Sequence, residues 1–232
     1  MMTSQQISAD NGQHHQRIIG LTGGIGMGKT TVSNYLSAEY GFPILDADII
    51  AREVVVAGSP VLSKIVDRYG LTILLPDGQL DRMRLGKIVF SSLAERHWLE
   101  QQIHPVVRDR LDHDLQHPSI VSEPIVILVI PLLFEARMTT LVNEIWVVSC
   151  TADQQIERLL KRSISNGDGH YQLNRSQVQK RIDSQMPIER KIKRADVVLD
   201  NSQSEQMLFQ QIDQALEQCP AKQSGQPSHP PG

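Results

Sequence analysis

The amino-acid sequence predicts an α/β fold in which a parallel five-stranded sheet is flanked by helices on both faces. Three observations carry that reading. Short apolar runs alternate along the chain with segments of helical periodicity, the order that builds strand–helix–strand units. The third run is apolar at every position from Ile125 to Ile130, which suits a strand covered on both faces. The segment between the first two runs, KTTVSNYLSAEYG, places Val32, Leu36 and Tyr40 on one helical face and ends at Gly41, a residue type suited to a helix C-cap.

The elements follow in chain order. RIIGLT (Arg17–Thr22) is the first strand, closed by glycines, and FPILDAD (Phe42–Asp48) is the second, ending in carboxylates. Residues 51–118 hold no comparable apolar run and are expected to form a mostly helical insertion. EPIVILVIPLLF, NEIWVVSC and ADVVLDN supply the third, fourth and fifth strands. The folded domain is thus expected over 17–216. Its core sheet takes 17–50, 120–152 and 195–216, the insertion about 51–118, and a further helical segment about 153–194. Residues 1–16 and 217–232 are polar or rich in Pro, Gly and Ser and are expected to be disordered tails. The first tail lacks the apolar stretch of a signal peptide, and its His14 and His15 are read as tail residues rather than metal ligands.

Composition narrows the function classes. Of 232 residues, 40% are hydrophobic and 21% charged, an ordinary globular balance. Aromatics are only 4%, so the core must rest on Ile, Val and Leu. A formal charge of −3 argues against a general nucleic-acid binder. Two cysteines, Cys150 and Cys219, build no disulfide framework and fit a reducing compartment. The longest apolar run, Ile125–Phe134, is about half a membrane span. The expectation is a cytoplasmic protein with no membrane or nucleic-acid partner, either a monomer or a weak homo-oligomer.

The most informative segment is GGIGMGKT, Gly23–Thr30. It fits G-x-x-x-x-G-K-[ST] and sits between a strand and a helix, the context that motif requires. Its glycines let successive backbone N–H groups turn inward as a nest for phosphate oxygens, and the helix start adds partial positive charge. Lys29 can reach the β- and γ-phosphates, and the Thr30 hydroxyl can ligate Mg²⁺. Gly24, Ile25, Gly26, Met27, Gly28, Lys29, Thr30 and Thr31 are therefore the candidate ATP-binding residues, with Mg²⁺ accompanying ATP as co-substrate. No N-K-x-D or L-S-G-G-Q sequence is present. Pro131 stands where the third strand of an ATPase would carry an acid, and Glu135 follows four residues later. A small kinase, in which a substrate hydroxyl attacks, fits better than a water-activating ATPase.

Two further groups bear on catalysis. LDADIIAR ends the second strand with Asp46 and Asp48, and the C-terminal ends of parallel strands face the ligand. A carboxylate there can accept the proton of an attacking hydroxyl. Asp48 stands further beyond the strand and is the better candidate. If a helix begins at Asp48, Arg52 lies one turn on. Residue types alone leave open whether one aspartate merely caps that helix and whether Asp48 and Arg52 form a surface ion pair. The stretch from Asp153 to Asp196 holds ten Lys or Arg against six Asp or Glu. Arginines on helices above a phosphate loop read as a lid, a solvated charged face being the plainer alternative.

At this point the chain resembles the dephospho-coenzyme A kinase family over essentially Arg17 to Leu216. The resemblance rests on LTGGIGMGKT, LDADIIAREVV, IHPVVR, IPLLFE, IERLLKR, RIDSQ and ADVVLDN, in that order. It implies a P-loop NTPase-type core with a helical substrate-binding insertion and a lid. The implied reaction is transfer of the ATP γ-phosphoryl group to the ribose 3′-hydroxyl of dephospho-CoA, the last step of coenzyme A biosynthesis. It further implies Asp48 as general base, Arg162 as the lid arginine reaching the phosphates with Arg158 second, and Asn201 at the adenine with Asp196 as a weaker neighbour. Arg52 would face the acceptor or fix Asp48, and His104–Pro105 and Leu132–Leu133 would line the acceptor side. The chain departs from the family pattern in a longer stretch between Arg162 and Arg181 and in Ser163, where an Asp is common. Another small-metabolite or nucleoside-monophosphate kinase, and a nucleotide-dependent switch that phosphorylates nothing, are the competing readings.

Overall fold

The computed structural model describes residues 16–165 and 173–218. Most of the two expected tails, including His14, His15 and Cys219, lies outside the described residues, as does part of the segment between Arg162 and Arg181. At both ends the fold reaches slightly past the expected limits. The Gln16 side chain donates to the carbonyls of Ile120 and Glu123, and the last helix continues to Gln218.

Five strands form one sheet: β1 (Arg17–Gly23), β2 (Ile44–Asp46), β3 (Ile125–Val129), β4 (Glu144–Ser149) and β5 (Val197–Asp200). Every pairing is parallel, in the order β2-β3-β1-β4-β5. After the first, each run overhangs its strand at both ends. FPILDAD contributes Ile44–Asp46 to β2, and Asp48 lies beyond it.

Among the described residues ten α-helices flank and extend the sheet: α1 (Lys29–Tyr40), α2 (Ala47–Glu53), α3 (Pro60–Tyr69), α4 (Arg82–Ser91), α5 (Leu93–Leu115), α6 (Pro118–Val121), α7 (Ala152–Ser165), α8 (Arg175–Asp183), α9 (Ile188–Ile192) and α10 (Glu205–Gln218). The periodicity of α1 buries Val32 and Leu36 completely. Gly41 ends the helix in the left-handed conformation at φ 70°, its N–H returning to the carbonyls of Leu36 and Ser37. On that face α1 and α10 pack against Ile19, Leu21, Trp146 and Leu199. On the other, α2 and α5 cover Val126, Leu128 and Ile130. Both faces of the central strands are therefore covered, which is why Ile125–Ile130 carries no polar residue.

The insertion has its own small core, in which Val61, Leu62 and Ile65 of α3 meet Ile73, Leu80 and Leu85. One boundary differs from the sequence reading. Val107, Leu111 and Leu115, in the second half of α5, pack with Val126 and Leu128 of the sheet, so α5 leaves the insertion partway along its length. His104–Pro105 is interior to this 23-residue helix. Pro105 removes one intrahelical N–H donor there, a defect that a helix packed along its length can carry. No helix among the described residues is long and apolar enough to cross a membrane.

Candidate active site

Because all five strands are parallel, their C-terminal ends bring five loops to one edge of the sheet. The loop after β1 is the glycine-rich segment. Lys29 opens α1, and its ammonium donates to the carbonyls of Gly23 (3.0 Å) and Gly24 (2.9 Å). That bends the side chain back over the loop and leaves its remaining N–H for a phosphate oxygen. Gly28, the helix N-cap, has φ 101°, a conformation that favours glycine. A Cβ there would also collide with the Asn201 amide. Gly28→Ala should accordingly cost both stability and nucleotide affinity, seen as a lower Tm and at least a tenfold weaker Kd for ATP.

Neighbouring loops lock the nest from outside. Asn201, 8% exposed at the end of β5, donates its Nδ2 to the Met27 carbonyl (2.9 Å). Its own carbonyl accepts from Arg158 Nη2 (2.9 Å). Gln155 of α7 donates to the Ile25 carbonyl (2.7 Å), while Gln185 accepts from the Ile25 N–H (2.9 Å). Gly28, Thr31, Arg158, Asn201, Gln203 and Glu205 line a cavity of about 280 Å³ beside the loop. Arg158 therefore stands at this cavity, alongside Asn201. Asp196 does not join it. It immediately precedes β5, at the opposite end of the sheet, accepting from the Ile145 N–H (2.9 Å), a placement that removes it from the site.

The carboxylates after β2 divide their roles. Asp46, not Asp48, caps α2, its Oδ1 accepting from the N–H groups of Asp48 (2.7 Å) and Ile49 (3.3 Å). The helix starts at Ala47, one residue before the position considered from sequence. That frees Asp48 from capping and leaves its carboxyl in the cleft. Asp48 is exposed as a residue, yet the carboxyl is crowded enough that desolvation, and then the Asp46 charge, hold it above the ordinary carboxylate range. The positive charges of Lys29, Arg52 and Arg162 oppose this. Those same three partners show which cations the fold gathers around Asp48. Arg162, exposed near the end of α7, is one of them.

Burial, and next the charge of Lys191, push the Lys29 ammonium down to about 8, against Asp48, Asp46 and Glu135. A triphosphate restores the preference for the charged form. ATP binding at pH 8 should therefore take up protons, measured as a dependence of calorimetric heat on buffer ionisation enthalpy. Lys29→Met should abolish the uptake.

Glu135, in the loop after β3, makes a structural tie. Its Oε1 pairs with Lys191 Nζ (2.9 Å) and accepts from the Met186 N–H (2.8 Å). Lys191 is fully buried and also donates to the Pro131 carbonyl (2.9 Å). Glu135 thus ties the end of β3 to the segment after α8. His104 is half-buried and lies near enough to feel Glu135; desolvation holds its pKa below the usual value. Leu132 is partly exposed in the same loop, whereas Leu133 is core. Sequence reasoning missed Gln155, Gln185 and Lys191. Nothing in the basic run IERKIKR distinguishes the one lysine that turns inward.

No cluster of three or more His, Cys, Asp or Glu suited to a metal occurs among the described residues. Thr30, exposed at the start of α1, carries a hydroxyl oxygen, a donor type that suits Mg²⁺.

Comparison with known proteins agrees with this architecture. Residues 17–206 match the family described as dephospho-CoA kinase. A dephospho-CoA kinase of Trichormus variabilis is 53% identical over 201 residues, covering 87% of this chain and 97% of that protein. One from Synechococcus elongatus is 52% identical over 202 residues, covering 87% and 92%. Among solved structures, TT1252 from Thermus thermophilus superposes with a TM-score of 0.70 at 33% identity, covering 88% of this chain and 97% of that one. The dephospho-CoA kinase from Campylobacter jejuni, at 24% identity and a TM-score of 0.61 over 88% and 96%, shares the fold. On the family match and these identities, the chain belongs to the dephospho-CoA kinase family.

Proposed function

We propose that this protein transfers the γ-phosphoryl group of ATP to the ribose 3′-hydroxyl of dephospho-CoA, giving coenzyme A and ADP in the last step of coenzyme A biosynthesis. The observation that carries the reading is the division of labour after β2, where Asp46 caps α2 and leaves Asp48 facing Lys29 across the cleft. Family membership supplies the acceptor.

In this mechanism the nest of Gly24–Thr31 and Lys29 holds the β- and γ-phosphates, while the adenine lies against Arg158 and Asn201. Mg²⁺, when bound, neutralises phosphate charge, and Thr30 would hold it. Asp48 takes the proton of the attacking 3′-hydroxyl. Desolvation raises its pKa, which makes the deprotonated carboxylate a stronger proton acceptor. Arg162 closes from the lid, about residues 153–194, onto the transferring group and excludes water. Arg52, His104 and Leu132 face the acceptor, which the insertion of about 51–118 receives. The lid already touches that insertion in one place: the Arg181 guanidinium of α8 lies 5.1 Å from the Phe90 ring centroid of α4.

An acceptor screen tests the assignment. ADP release should depend on dephospho-CoA and be negligible with nucleoside monophosphates or with no acceptor. Rapid acceptor-independent ADP release, or preferential use of a monophosphate, contradicts it.

A further inference from the structure

Two arginines lie close together beside the cleft. Arg52 follows Asp48 by one turn of α2. Arg82 opens α4 and donates its Nη2 to the Arg52 carbonyl at 2.9 Å. Both residues are exposed, and among the described residues neither forms a salt bridge, the Asp48 charge acting on Arg52 only at longer range. The nearest acid in sequence to Arg82 is Asp81, which is spent on capping α4 by accepting from the Arg84 N–H (2.9 Å). Guanidinium groups keep their charge whatever their surroundings, so this proximity costs electrostatic energy that a bound anion would recover. Partial burial and the Arg52 charge both weaken Arg82's hold on its proton, as expected of a cation missing its counter-ion.

The helix that carries Arg82 also aligns it with a residue that meets α8. Residues 82, 86 and 90 lie along one side of α4. Gly86 leaves that side open, an added Cβ meeting only Phe90 at 4.0 Å. Phe90, 57% exposed, faces the lid through Arg181. The stripe therefore runs from Arg52 at one end to Arg181 of α8 at the other.

We propose that Arg52 and Arg82 form an anion subsite that grips the diphosphate bridge of the acceptor, an inference that rests on the acceptor reading above. The scale agrees. Four helical residues separate Asp48 from Arg52 by about 6 Å along the axis, comparable with the span of a ribose from its 3′-oxygen to a 5′-phosphate. A substrate with its 3′-hydroxyl at Asp48 then presents its diphosphate to the two guanidiniums, whose forked donors match phosphate oxygens. The subsite gives the enzyme a means of preferring a nucleotide diphosphate ester over a bare nucleoside.

The test is calorimetric titration of the full chain saturated with a non-hydrolysable ATP analogue. Arg82→Met should weaken dephospho-CoA binding about 10–100-fold, the range for losing a hydrogen bond to a charged group, and leave adenosine binding unchanged. Arg82→Lys should recover part of the loss, and Arg84→Met, an equal loss of charge on the same helix, should change affinity less than twofold. Inorganic pyrophosphate should compete with dephospho-CoA in the unsubstituted protein. Equal dephospho-CoA affinity in Arg82→Met and the unsubstituted protein overturns the subsite, as does an equal loss for adenosine. If the unsubstituted protein ignores dephospho-CoA but binds pyrophosphate through Arg82, the subsite stands and the acceptor reading falls. Circular dichroism of each variant separates loss of binding from loss of fold.

Discussion

Replacing Lys29 by methionine is expected to lower kcat by about 10³-fold, the scale on which preorganised charge at a transferring group acts. The ammonium is fixed by the carbonyls of Gly23 and Gly24, so it meets the phosphates without reorganising. Methionine keeps most of the stem packing and removes the charge. The fold should survive, since β1 and α1 are held mainly by the buried cluster of Ile19, Leu21, Val32 and Leu36. Single-turnover kinetics at saturating ATP separate the chemical step from binding. A fall confined to ATP affinity, with the chemical step intact, would make Lys29 an anchor for the nucleotide and no more.

Asp48→Asn should lower kcat by about 10²–10⁴-fold, the usual worth of a positioned base, with the Kd for ATP changed less than threefold. Asp46 caps α2, so the substitution leaves the helix start intact. It also fixes a pH dependence. Because desolvation and Asp46 raise the Asp48 pKa, kcat/KM for the acceptor should climb with pH through a step displaced upward from an ordinary carboxylate. Below that step the carboxyl is protonated and cannot accept a proton. Asp48→Asn should flatten the step while Asp46→Asn, which keeps a side-chain acceptor for the helix cap, should retain it. Equal losses of ATP affinity and turnover in Asp48→Asn would instead mark Asp48 as a nucleotide ligand.

The parts of this site legible in sequence are those whose chemistry is local. GGIGMGKT carries its own turn geometry, and IVILVI declares a strand covered on both faces. Asp46 and Asp48 were recognisable as a pair but not in their roles, because the choice of cap depends on where α2 starts, a matter of one residue. Asp196 is a weaker neighbour of Asn201 by resemblance, five residues away, yet β5 separates them by its whole length and, of the two, Asn201 reaches the phosphate loop. Residues that act through long-range contacts left no local signal. Gln185 reaches Ile25 across 160 positions, and Lys191 reads as one more surface cation until packing buries it against Pro131 and Glu135. Arg82 belongs to the same class: its meaning comes from Arg52, brought alongside by the turn of the insertion.

The decisive measurement is to incubate the purified protein with ATP, Mg²⁺ and dephospho-CoA, then determine the mass of the acceptor and, by NMR, the oxygen that carries any added phosphate. The mechanism proposed here requires one added phosphoryl group on the ribose 3′-oxygen, absent without ATP and lost in Lys29→Met. An acceptor recovered unchanged while ATP binds normally, or phosphorylated at a different oxygen, would contradict it.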